Sequence, residues 1–444
     1  MKRYLALVAG LIFVLGFTAV AFAIHAEIPA DTQAVVAKGT TQITLGGQIR
    51  IRGFYETNNT DFDDSKADNL SIYETTVRLD VHAKVTPNTE AKISLRDTKA
   101  SGDDDFTWGS TGGDGRGIYR KGGNVGGYRD MQGLYFREAW ILHKGSGLLG
   151  IPAGIKVGHM PLKLGYGLFY DHTKNGEDAI VLFMDPTKEL HVGLVAVKFD
   201  EGQPRRNDDA NGYVLLFNYK AAKDTNISGD VTYLDDQAAS PGGLHFWNFG
   251  LRGNTKVSGF GLKADVELQT GKEKDPAGDV KYSGYAFLVG LDYKLDPLKL
   301  GLEYAYGSGD KPGTADKDEG FVTALDNKQN YSWIAEYRVP AGSGISQTGL
   351  NNTQYVKARV GADLTKALSG HLDFYWLRAN KTSSGVSKSI GTEVDWYLKY
   401  NIDKNLFWFV EGGYLFAGDF YKQFTGGKDP DNPWAIRHGI LLSF

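Results

Sequence analysis

The chain contains no cysteine in 444 residues. That excludes disulfides, thiolate catalysis, cysteine-ligated zinc or iron–sulfur centres and covalent c-type haem. Long apolar runs are almost as scarce. One stretch, "YLALVAGLIFVLGFTAVAFA" (Tyr4–Ala23), is uncharged and follows Lys2 and Arg3. Past it no apolar run reaches the length a membrane-spanning helix needs, about 18 residues. Cationic excess is missing too. The net charge is −4, and without Lys2 and Arg3 the balance is 47 basic against 53 acidic side chains, or −6, which argues against a nucleic-acid footprint. No H-E-x-x-H pair occurs, and no Lys-Ser/Thr follows the glycine-rich "GGDGRG" or "GNVGG", so a zinc hydrolase site and a phosphate-cradling loop both lack support.

The N-terminus has the build of an export signal. A basic start, an apolar centre and the small pair Ala21 and Ala23 predict cleavage after residue 23. The expected organisation is a signal peptide over residues 1–23, a periplasmic lead-in over 24–40 and one β-domain over 41–444.

What the chain has in abundance is glycine, 57 residues, and aromatics, with 24 Tyr, 23 Phe and 8 Trp. It also alternates. In "QITLGGQIRIRGFYET", Ile43, Leu45, Ile49, Ile51 and Tyr55 share one face, while Thr44, Gln48, Arg50, Arg52 and Glu56 share the other. "IYETTVRLDVHAKV", "TEAKISLRD", "FGLKADVELQ", "TQYVKARVGADL" and "IGTEVDWYLKY" repeat the pattern. Runs of this length suit tilted strands that cross a bilayer. Lipid on one face and water on the other average to a modest mean hydropathy, here −0.32, while calling for aromatics at both interfaces. Only a closed barrel satisfies every strand's backbone groups in hydrocarbon.

Connections alternate between short turns, such as Thr86–Asn88 and Ala222–Thr225, and long loops, such as Thr98–Met131, Pro161–Glu177 and Gly307–Asn352. The fold class this predicts is all-β: a transmembrane antiparallel up-and-down barrel of about 18 strands, with short periplasmic turns and long extracellular loops. "FREAWILHK" breaks phase at Arg137–Glu138, which predicts a bulge. "NYSWIAEYRV" reads as a strand, but an even count places it inside the loop Gly307–Asn352. The closing run "WAIRHGILLSF" puts Ile436, Ile440 and Leu442 toward lipid and Phe444 at the periplasmic interface.

At "IGTEVDWYLKYNIDKNLFWFVEGGYLFAGDF" (Ile390–Phe420), with its "GTE-D" strand and "GY-F-GD" run, the sequence resembles a proteobacterial porin group, the alginate-export-like barrels. "IKVGHMPLKLGYGLFYDH" (Ile155–His172) is similar to that group's early "GRQ" strand, with His159 where the group usually has Arg. The resemblance implies an 18-stranded barrel that passes solutes by diffusion. The terminal alternation with Phe444 resembles the aromatic signal read by the barrel-assembly machinery.

With polar faces inward, the lumen is expected to carry Arg50, Arg52, Arg78, Arg96, Lys263, Arg359 and Arg437, opposed by Asp80, Glu267, Glu393 and Asp395, as pore-lining or constriction residues. Fixed charges of both signs set ion preference. The arginines of the first three strands would form one side of a constriction, and Thr98–Met131 or Gly307–Asn352 would fold inward to face them. The plainer alternative is a wall of mutually neutralising charges. No catalytic residue, cofactor or metal site is predicted. "SGDDD" and "TADKDEG" lack EF-hand spacing and read as solvated loop charge. Phe106, Trp108 and Tyr119 suit either sugar stacking or an ordinary loop core.

The function these features predict is an outer-membrane porin, not an enzyme, that lets small hydrophilic solutes or ions diffuse passively. Its partners would be outer-membrane lipid, lipopolysaccharide, the assembly machinery and the solutes, and no nucleic acid. It would stand as a monomer or homotrimer. The alternatives are a substrate-specific oligosaccharide or organic-anion channel, and a barrel sleeve around a partner such as a multihaem cytochrome.

Overall fold

The computed structural model describes residues 34–38, 41–66, 69–97, 106–107, 134–147, 150–174, 176–202, 208–237, 242–274, 278–323, 331–339 and 349–444. The expected signal peptide and most of Thr98–Met131, including Trp108 and Tyr119, lie outside them.

Eighteen strands close a single antiparallel barrel. In chain order they are β1 (Thr41–Thr57), β2 (Leu70–Thr86), β3 (Thr89–Asp97), β4 (Leu134–Gly145), β5 (Ala153–Met160) and β6 (Glu177–Met184). Next come β7 (Leu190–Asp200), β8 (Ala210–Ala222), β9 (Thr225–Asp236), β10 (Leu244–Val257), β11 (Phe260–Glu273) and β12 (Tyr285–Leu295). The last are β13 (Leu298–Gly307), β14 (Thr353–Asp363), β15 (Leu368–Ala379), β16 (Ser389–Asp403), β17 (Leu406–Ala417) and β18 (Trp434–Ser443). Each strand pairs with the next, and β18 returns to β1, with Trp434 opposite Thr57 and Ser443 opposite Gln48. Closure leaves no free edge to aggregate. Backbone bonds between Phe444 and Gly47 (2.8 and 3.1 Å) extend the seam. Beyond it, Ala34–Lys38 of the lead-in pairs along Thr41–Leu45 and covers the part of β1 that β18 does not reach.

Burial is inverted relative to a water-soluble sheet. On β11 the outward Leu268 is 54% exposed while the inward Glu267 is fully buried. Outward aromatics form two bands, one near the long loops with the Tyr233–Trp247 contact (4.7 Å) and one near the short turns with Phe260 against Tyr293 (4.6 Å). Among the described residues no helix is long and apolar enough to cross a membrane; the crossing is made by strands.

The phase break in β4 is a bulge. Ser94 pairs with Glu138 and Leu95 with Phe136, so Arg137 is the extra residue, and both Arg137 and Glu138 are buried. "YSWIAEYRV" (Tyr331–Val339) is a turn-rich segment, not a strand, and lies within the long loop after β13, as the even count required.

Candidate functional site

Inward positions on β18, β1, β2, β3 and β4 bring together a basic wall. Arg50 Nη2 donates to Thr76 Oγ1 (2.9 Å), Arg52 pairs with Glu74, and Arg78 Nε donates to Asp80 Oδ2 (2.9 Å). Arg96 sits directly across the β2–β3 ladder from Arg78. Arg437 of β18 pairs with Glu411 of β17. Arg137 Nη1 of β4 and Lys92 Nζ of β3 share Glu138 Oε1 at 3.0 and 2.8 Å.

The remaining expected residues form separate groups: Lys263 and Glu267 lie on β11, across the barrel from this wall, Arg359 on β14, and Glu393 and Asp395 on β16, two strands from β18. Lys263 reaches Glu303 Oε2 (2.5 Å), and Arg359 grips both carboxyl oxygens of Asp373 (2.6 and 2.5 Å). Glu267 pairs with Arg252 and accepts from Asn248 Nδ2 (2.7 Å). Arg252 also contacts Asp230 and Asp265, and this four-membered cluster is buried. The sequence reading overlooked Arg252, although it shares the inward phase of β10 with Asn248, opposite Trp247, Phe249 and Leu251.

Among the described residues, two loops turn into the barrel and are held by carboxyls of the wall. Loop 308–352 presents the backbone N–H groups of Trp333 to Asp395 Oδ2 (3.1 Å), and of Ile334 and Ala335 to the two oxygens of Glu393 (2.7 and 2.9 Å). Tyr375 OH donates to Tyr331 O (2.8 Å). Ile334 lies on Gly413, where a Cβ would stand 2.8 Å from its Cγ1, so only glycine admits the loop there. Ile334, Ala335 and Val339 are fully buried against the inner wall. Docking delivers Arg338, whose Nη1 lies 3.2 Å from Glu56 Oε2 and whose guanidinium stacks on Phe54 (4.6 Å) and Trp333 (5.1 Å). The Arg437 guanidinium also approaches this group, 5.6 Å from the Trp333 ring. This loop therefore faces the basic wall.

Glu336 of the same loop is buried, with Oε1 accepting from Gly349 N (3.1 Å). Burial raises its carboxyl well above the ordinary value, the Gly349 bond opposes the rise, and the nearby Glu393 charge adds to it.

The second inward loop, 161–176, was not anticipated by the sequence reading. Tyr166 N donates to Asp265 Oδ2 (3.2 Å), and Arg137 donates to the carbonyls of Thr173 (2.5 Å) and Lys174 (3.1 Å). Gly165 has φ +53 and passes directly over the Arg252 guanidinium, which leaves no room for a side chain. Leu168, Phe169 and Tyr170 join an inward apolar cluster with residues of β6 to β10 and β12, among them Val197 and Phe246. Alternating patterns mark strands, and an inward loop leaves no such trace.

The family model for alginate export matches residues 41–433. The chain belongs to the alginate-export family. Among solved structures, OpdK of Pseudomonas aeruginosa, determined with vanillate, superposes with a TM-score of 0.55 at 13% identity, covering 90% of this chain and 99% of that one. OccAB4 of Acinetobacter baumannii gives 0.53 at 11% identity, covering 90% and 98%. A BenF-like porin of Pseudomonas fluorescens Pf-5 gives 0.53 at 12%, covering 90% and 99%. At these identities the likeness shows the shared barrel. No curated protein matches this chain. As a member of the alginate-export family, the protein is a passive channel barrel of the outer membrane.

Proposed function

We propose that the lumen passes small hydrophilic solutes with a bias toward anions, and that Arg50, Arg52, Arg78, Arg96 and Arg437, with Arg338 from the docked loop, set that bias. The observation that carries this reading is the cross-strand pair Arg78–Arg96. Like charges directly opposite each other cost stability. A wall whose charges only neutralised one another would not set two arginines opposite each other, and Asp80 beside Arg78 brings one negative charge to the two positive ones. The other charges act as supports: Asp80 and Glu267 hold arginines, Glu393 and Asp395 hold loop 308–352, and Lys263 and Arg359 pair with Glu303 and Asp373. The chain's own loops occupy interior space that a sleeve would give to a partner, which disfavours the cytochrome alternative. We take the barrel to be a conduit that catalyses no chemistry, exported by a leader over residues 1–23 and inserted through its terminal strand and Phe444, with lipid and lipopolysaccharide around it.

The test is the reversal potential of single channels in a salt gradient. Arg78→Ala combined with Arg96→Ala is expected to shift it toward zero from the anion side. An unchanged potential would remove these residues from the selectivity determinant.

A further inference from the structure

Between the tip of loop 161–176 and the short-turn rim lies a recess of about 1000 Å³ that opens toward the periplasm. That volume is at the upper end of small-ligand sites, about 300–1,000 Å³. Gly165 and Tyr166 form its outer wall, the turn after β6 forms its rim, and inward residues of β8, β9 and β10 form its floor. The outer wall is fixed, because Tyr166 N is held by Asp265 and Gly165 rests on Arg252.

The chemistry of the floor is specific. Three carboxamides from three adjacent strands, Asn218, Asn226 and Asn254, face the recess beside Ser228. Asn226 Nδ2 donates to Asn254 Oδ1 (3.1 Å), and Asn254 Nδ2 donates to the Tyr166 hydroxyl (3.3 Å), so the amides are oriented in one direction. Several charged groups of the lining are engaged with partners. Asp185 holds His191 Nδ1 (2.7 Å), Lys163 holds Asp171 (2.6 Å), and Arg252 is enclosed by its three carboxyls. Lys188, Lys220 and Glu189 add charges of both signs to the lining. Between Lys220 and the enclosed Arg252, the floor presents planar amides and the Ser228 hydroxyl. A carboxamide offers a donor and an acceptor side by side, which matches a pair of vicinal hydroxyls.

We propose that this recess is a saccharide site that takes a neutral polyhydroxylated solute of a few sugar rings on the periplasmic side of the inward loop. The proposal rests on the channel reading for its physiological meaning, but the binding itself does not require conduction.

The experiment is calorimetric titration of maltotriose into the detergent-solubilised full-length barrel, in parallel with single-channel recording. Saturable binding is expected, weakened about tenfold in Asn226→Ala with Asn254→Ala. Asn218→Ala serves as the second variant if the double variant loses the heat-modifiable migration of a folded barrel. Binding by a barrel that is silent in the bilayer would support the site and count against the channel. A barrel that conducts but takes up no maltotriose, or binds it equally in the variants, would overturn the site and leave the channel standing. Tighter binding of gluconate than of maltotriose would overturn the neutral class.

Discussion

Glu393 accepts two backbone N–H bonds from loop 308–352, one from Ile334 and one from Ala335. In Glu393→Gln the side chain keeps one acceptor oxygen, and its amide group meets the second N–H donor to donor. One bond is lost and one buried donor is left unsatisfied, a loss of about 2 kcal/mol by ordinary costs. Since 1.4 kcal/mol is about tenfold in an equilibrium constant, the docked-to-undocked ratio of the loop should fall roughly thirtyfold. The apolar contacts of Ile334 and Val339 remain, so the barrel itself should fold normally. Hydrogen exchange of the Trp333, Ile334 and Ala335 amides is the direct assay, with conductance as the functional one. Protection is expected to fall by that factor while the strand amides are unaffected, and open-channel current should become noisier and larger. Unchanged protection at Ile334 and Ala335 would refute the reasoning, because it would mean that packing alone seats the loop.

Three further predictions concern the same architecture. Because burial raises the Glu336 carboxyl, docking of its loop favours the protonated form: the contribution is fully present below the ordinary value of 4.5 and is lost as pH rises toward the raised one. Exchange at the Gly349 amide should therefore speed up as pH is raised, beyond the intrinsic dependence, and Glu336→Gln should flatten that excess. Arg252→Met strands the buried carboxyls of Asp230, Asp265 and Glu267 and should destabilise the barrel by about 3–5 kcal/mol, read from its urea midpoint; an unchanged midpoint would mean the cluster is hydrated and not buried. Gly165→Ala should push loop 161–176 off Arg252 and change single-channel conductance without lowering the amount of folded barrel, and a wild-type conductance would show that the loop tip lies outside the solute path.

The strands were legible in the sequence because a barrel in lipid imposes a period of two on nearly every residue. Phase alone assigned Arg50, Arg52, Arg78 and Arg96 to one face, and a break in phase marked the bulge at Arg137. Arg252 was equally legible from its phase in β10. The inward fold of Gly307–Asn352 was an expectation as well, but the contacts that seat the inward loops were not legible. Loop 161–176 is positioned by Gly165, Tyr166 and Arg137, and loop 308–352 by backbone donors meeting Glu393 and Asp395 from another part of the chain. Those are long-range pairings between irregular backbone and strand side chains, and no local pattern records them. Glu393 and Asp395 themselves read as lumen charges; what they hold becomes visible only once the loop is seated.

Planar-bilayer recording of the purified barrel in a salt gradient tests the central claim most directly. The account predicts stable, ohmic single-channel steps with a reversal potential on the anion side, reduced by Arg78→Ala with Arg96→Ala. A folded barrel that gives no steps, or steps that reverse on the cation side, would contradict it.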